Sequence, residues 1–179
     1  MTETNHEEDP MAMVGLFWIT DDSVYIGAEP AGTASGVRLS KDGVEALGRN
    51  AGTWSWAEVC GIEVADVAVR PLPRRWVSQA VDVVASALTG GGELPPPFTV
   101  RIATADGSVE TDAYTAVAGG FYGPTEYELS RALLARLVDG RTALVDLLQW
   151  RRDRAGDATP SREEREALLL KWTGGGAPS

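Results

Sequence analysis

Between Phe17 and Tyr114 the chain alternates short apolar runs with pairs of turn residues. FWIT (17–20), Asp21-Asp22 and SVYIGA (23–28) read as a hairpin with a two-residue turn. After a Gly- and Ala-rich loop (29–36), GVRLS, Lys41-Asp42-Gly43 and VEALG give a second hairpin turned at Asp-Gly. The stretch WSWAEVCGIEVADV (54–67) alternates. That alternation puts Trp54, Trp56, Cys60, Ile62 and Val64 on one face and Ser55, Ala57, Gly61 and Glu63 on the other. Asp66 breaks the phase, which places a bulge or the strand end near Ala65. FTVRIAT (98–104) and SVETDAY (108–114), joined through Ala105-Asp106-Gly107, make a third hairpin. The pattern predicts seven short strands in a small antiparallel barrel or sandwich.

Helical periodicity appears in three places. Between the fifth and sixth strands, within an insertion over 70–97, Trp76 to Leu88 carries apolar residues at 76, 77, 80, 81, 83, 84, 87 and 88. That is a broad apolar arc with a narrow polar stripe of Gln79, Asp82 and Ser86. Tyr127 to Trp150 is a long amphipathic segment, broken at Asp139-Gly140. Ser161 to Trp172 is a short helix, with Glu164 three residues after Ser161 at capping-box spacing. The expected organisation is a disordered acidic lead (1–13), one β-rich domain (14–152) capped by its C-terminal amphipathic helix, and a tether with a short helix and disordered end (153–179).

At 179 residues the chain is long enough for one self-sufficient core. Its 26 acidic and 16 basic residues give a net charge of −10, which repels nucleic-acid phosphates and anionic lipid headgroups. One cysteine excludes an internal disulfide framework and a multi-cysteine zinc site. The acidic N-terminus does not resemble a secretory signal and no apolar run reaches membrane-spanning length, so the expected location is cytoplasmic. Arg outnumbers Lys strongly, as in GC-rich actinobacterial genomes.

The order of seven antiparallel strands and one closing helix resembles the pleckstrin-homology-like barrel and its GRAM relatives, in their bacterial forms. The most specific piece is TWSWAEVCGIEV, where Trp56-Ala57-Glu58-Val59 resembles the W-x-x-[IV] strand of that superfamily. The resemblance implies a barrel with Trp56 packed inside it. It carries no catalytic signature, and the superfamily serves lipid, peptide and protein binding alike.

Phosphoinositide recognition needs basic residues in the first inter-strand loops, yet those loops hold Asp21, Asp22 and Glu29 and no cation. His6 sits in the acidic lead, away from any nucleophile. Cys60 shares a face with Trp56, Ile62 and Val64 and reads as an inert core thiol. The Asp residues at turns read as local backbone acceptors. Phe121 and Tyr122, between glycines, are the only motif for an enzyme pocket, and a flexible link is the simpler reading. The charges Arg151, Arg152 and Arg154 suit a helix C-terminus. No catalytic, cofactor or metal site is expected, which leaves surface for partners. The apolar arc (Trp76, Val77, Ala80, Val84, Leu88) must be covered by its own barrel, a partner protomer or a membrane. The tail (Leu168, Leu169, Trp172) either docks on its own domain or folds onto another protein. The expected function is therefore a non-enzymatic protein-interaction module or a subunit of a larger cytoplasmic assembly. The alternative is a peripheral membrane protein anchored by the inserted helix.

Overall fold

The computed structural model describes residues 12–70, 97–117, 120–156 and 158–174. Among these residues nine strands form two antiparallel sheets, with helices α1 (Pro124–Val138), α2 (Leu144–Asp153) and α3 (Arg162–Trp172) packed against them. The first sheet is a six-stranded meander. It comprises β1 (Ala12–Val14), β2 (Phe17–Ile19), β3 (Val24–Ile26), β4 (Gly36–Leu39), β5 (Gly43–Leu47) and β6 (Gly52–Ser55), in chain order. The second sheet is β7 (Val59–Ala65), β8 (Pro97–Thr104) and β9 (Gly107–Tyr114).

This corrects the expectation of a seven-stranded barrel, for two local reasons. Ala12 and Met13 are buried strand residues, so the ordered chain reaches into what reads as acidic lead. The stretch 54–67 is two strands in different sheets. Glu58 accepts hydrogen bonds from the Ser55 amide (2.7 Å) and hydroxyl (2.9 Å), while the Glu58 amide donates to the Ser55 carbonyl (3.0 Å). That turn takes Trp56, Ala57 and Glu58 out of any strand and sends the chain from one sheet to the other. Trp56 is therefore half-buried at a sheet corner, its indole N–H donating to the Ser40 carbonyl at 2.8 Å.

Among the described residues no ladder closes the two sheets into a barrel. The free edge of β9 meets the first sheet through two separate bonds: the Ala28 amide donates to the Tyr114 carbonyl, and the Asn50 side-chain amide to the Glu110 carbonyl, both at 2.7 Å. The register of β7 also departs from strict alternation. Val59 faces Thr104 and Gly61 faces Ala103, so Cys60 is the extra residue of a bulge. The phase flips there, Val59 and Ile62 turn inward, and Cys60 is exposed instead of lying in the core. β7 ends at Ala65, and Asp66 adopts a left-handed conformation (φ 61°) that Asp tolerates better than most residues.

One continuous core joins the sheets and helices. Phe17, Ile19, Ile26 and Leu39 enter it from the first sheet, and Phe98, Val100 and Ile102 from the second. Leu133, Leu134, Leu147 and Leu169 enter it from the helices. The long amphipathic segment is two helices. Asp139 caps α1, Gly140 turns at φ 70°, and α2 restarts at Leu144. α3 carries the full capping box between Ser161 and Glu164.

The β1–β2 turn is set directly on the helices. Gly15 lies at φ +59°, and a Cβ there would stand 2.2 Å from Ser130 Oγ and 3.0 Å from Leu169 Cδ1. Gly15→Ala is expected to cost about 2–4 kcal/mol, from left-handed strain plus overpacking. A thermal melt should show this as a midpoint lowered by about 5–15 °C. Gly140→Ala has the same sign of φ but nothing within 4 Å, and should cost only the strain, about 1–2 kcal/mol.

Candidate interaction surfaces

The five residues of the expected insertion site, Trp76, Val77, Ala80, Val84 and Leu88, lie outside the described residues. What is described is the stem that carries them. The Tyr122 amide donates to the Ala68 carbonyl and the Arg70 amide to the Tyr122 carbonyl, both at 2.9 Å, making a short parallel bridge. On the return, Pro97 stands opposite Tyr114 at the start of β8. The Tyr122 hydroxyl accepts from the Ala116 amide at 3.1 Å, so both ends of the insertion are held against the segment 114–122. Tyr122 is fully buried, and that burial pushes its phenol pKa up to about 12. It therefore lines no open pocket, whereas its neighbour Phe121 is 46% exposed.

The tail is docked on its own domain. Leu169 has no exposed surface and Trp172 only 6%, while Leu168 packs partly buried against the core. Trp150 and Trp172 meet edge to face with centroids 5.6 Å apart, and the Thr142 hydroxyl donates to the Trp172 carbonyl at 2.6 Å. In this arrangement the apolar residues of α3 serve the core, and only Leu170 on that helix is a large exposed hydrophobe. The deciding feature is polar. Glu126, 2% exposed in the first turn of α1, accepts two hydrogen bonds from Arg165 (Nε 3.0 Å, Nη2 2.7 Å). Arg165 also donates to the Pro160 carbonyl at 2.8 Å. Sequence periodicity marks the apolar face of α3 but says nothing of an arginine and a glutamate 39 positions apart.

The arginines after the long helix also do more than complement a dipole. Arg151 is 1% exposed and donates to the Arg154 carbonyl at 3.2 Å. Arg152 reaches the Asp21 carbonyl at 2.9 Å, and the Arg154 guanidinium lies 5.7 Å from the centre of the Trp150 ring.

Among the described residues, two of the open clefts border the ends of the helices. One, of about 380 Å³, is mostly apolar and is walled by Trp56, Leu137, Val138, Leu144 and the exposed Val145. The other, of about 610 Å³, lies between α2 and the ends of α1 and α3. Among the described residues no group of three or more His, Cys, Asp or Glu is placed to hold a metal ion, and no helix is long and apolar enough to cross a membrane. Comparison with known proteins finds no matching family model, no matching curated protein and no matching solved structure.

Removing one partner of the buried ion pair leaves the other charge without compensation. Arg165→Met is expected to cost about 3 kcal/mol or more, and adding Glu126→Gln should recover part of that loss, a coupling that chemical denaturation of the double-mutant cycle reads directly. Tyr122 sets a second expectation. Its pKa is higher folded than unfolded, so its contribution is intact below pH 10 and is lost as pH rises from 10 to about 12. Unfolding free energies from urea titrations should fall across that window by more in the native chain than in Tyr122→Phe, by up to about 2–3 kcal/mol.

Proposed function

We propose that this chain is a non-enzymatic protein-interaction module, working as a subunit of a larger assembly, and that the apolar sequence 76–88 is its partner surface. The observation that carries the reading is the stem. Residues 68–70 and 97 leave from and return to one place on the sheet, pinned by the two backbone bonds of Tyr122 and by the pairing of Pro97 with Tyr114. The exposed ring of Phe121 stands beside Tyr122 on this stem. With the apolar face of α3 committed to the core, the apolar arc of the sequence 76–88 is the segment we assign to a partner. The compartment belonging to this proposal is the cytoplasm, where a free, exposed Cys60 persists without oxidation.

The test is the triple substitution Val77→Ser, Val84→Ser and Leu88→Ser. Light scattering across concentrations, and chemical cross-linking in native lysate, should show complexes of the native chain that the variant loses at an unchanged thermal midpoint. A collapsed midpoint would instead make 76–88 part of the chain's own core. Flotation of the native chain, but not the variant, with phosphatidylcholine vesicles would turn the assignment to a membrane surface.

A further inference from the structure

The larger cleft has a sorted charge pattern that its structural roles do not use. One wall is a single face of α2, where Asp146, Gln149, Trp150 and Asp153 follow one another at helical spacing. The facing wall carries Arg136 from the last turn of α1, Arg141 from the α1–α2 connection, and Lys171 from the last turn of α3. On the α2 wall the half-buried Trp150 meets the nearly buried Trp172 edge to face. The acids stand on α2 and the cations on the ends of α1 and α3 and on the α1–α2 connection.

The two walls do not neutralise each other. Among the described residues no ion pair within 4 Å joins Arg136, Arg141 or Lys171 to Asp146 or Asp153. Arg136 gives its Nε to the Thr142 hydroxyl at 3.3 Å, and its Nη2 end faces Gly174, where a Cβ would approach to 3.1 Å. Asp153 accepts from Gln149 at 2.7 Å and keeps its second oxygen for another donor. At about 610 Å³ the cleft falls within the range of small-molecule sites.

We propose that this cleft binds a small zwitterion of the short-peptide type. Its carboxylate meets Arg136, Arg141 and Lys171, its ammonium meets Asp146 and Asp153, and its apolar side chain lies against the half-buried Trp150. The two sets of charge select against a ligand bearing one charge only, because such a ligand pairs with one set and meets like charge in the other. A bare anion would face two carboxylates, and a bare cation three basic groups. This site is independent of the 76–88 surface and stands or falls separately.

The probe is the dipeptide Ala-Phe with free termini, titrated into the full chain. The Trp150 and Trp172 indole N–H signals in NMR spectra, together with indole fluorescence, report binding. The free dipeptide should give a saturable change, and N-acetylation or C-terminal amidation should each weaken it about fivefold to tenfold. Lys171→Gln should weaken the free and N-acetyl forms while leaving the amide form unaffected. Asp146→Asn should do the converse. Both side chains are exposed, so thermal midpoints close to native confirm that the loss is local. Equal binding of the N-acetyl form would make this an anion site, and equal binding of the doubly blocked form a merely apolar one. The absence of any saturable change up to about 10 mM would remove the site, since a ligand of this size held by two charge contacts should bind more tightly than that. Each of these outcomes overturns the proposal.

Discussion

The contact between Glu126 and Arg165 decides how the parts of this protein sit together. A carboxylate with 2% exposure is costly to bury, and here it is compensated by a two-donor guanidinium that is itself anchored on the Pro160 carbonyl. The same first turn of α1 reaches the first sheet by a second polar route. The Glu126 carbonyl accepts from the Ser130 hydroxyl at 2.6 Å, and Ser130 Oγ accepts from the Leu16 amide at 3.1 Å. The Leu16 carbonyl in turn takes the Gly27 amide at 2.7 Å. A single line of bonds thus runs from α3 through α1 into the β1–β2 turn and on to Gly27 at the end of β3. The apolar burial of Leu169 and Trp172 supplies the larger free energy, but burial is non-directional. The polar line fixes where α3 lies and in which rotation.

That line also explains why the sheets need not close. An unpaired strand edge is a liability, and β9 has one. Two bonds, from Ala28 and Asn50, hold its carbonyls at Tyr114 and Glu110 without building a ladder. On the opposite side of the second sheet α1 packs along β7. With one edge laced and the other covered, the three-stranded sheet stays in place against the first sheet while keeping its own twist.

Much of this was legible in the residues, and the failures have identifiable causes. The hairpins at Asp21-Asp22, Asp42-Gly43 and Asp106-Gly107 stand where turn chemistry puts them, as do the break at Gly140 and the capping box of Ser161. Local signals of that kind survive because they depend on a few neighbouring residues. The split at Trp56 did not announce itself, because a tight turn held by a Glu side chain preserves the alternation on either side of it. The bulge at Cys60 misled for a related reason: the extra residue turns Cys60 outward, while Ile62 and Val64 beyond it keep the inward face that the alternation gives them. The cleft between α2 and α3 was beyond reach, since its walls come from positions 136 to 174 brought together only by tertiary packing.

Charge distribution ties the scaffold to its surfaces. Residues 124–172 hold nine of the 16 basic and nine of the 26 acidic residues, so the helical layer is neutral and the rest of the chain carries the whole net charge of −10. An acidic remainder repels polyanions at long range, within the screening length of salt. A neutral layer in which acids and bases are sorted onto facing walls does something different. Its field is dipolar, fades within a short distance, and acts only on a group that enters the cleft. Charge of this kind discriminates by geometry rather than by sign, which favours ligands whose own opposite charges are held at fixed separation.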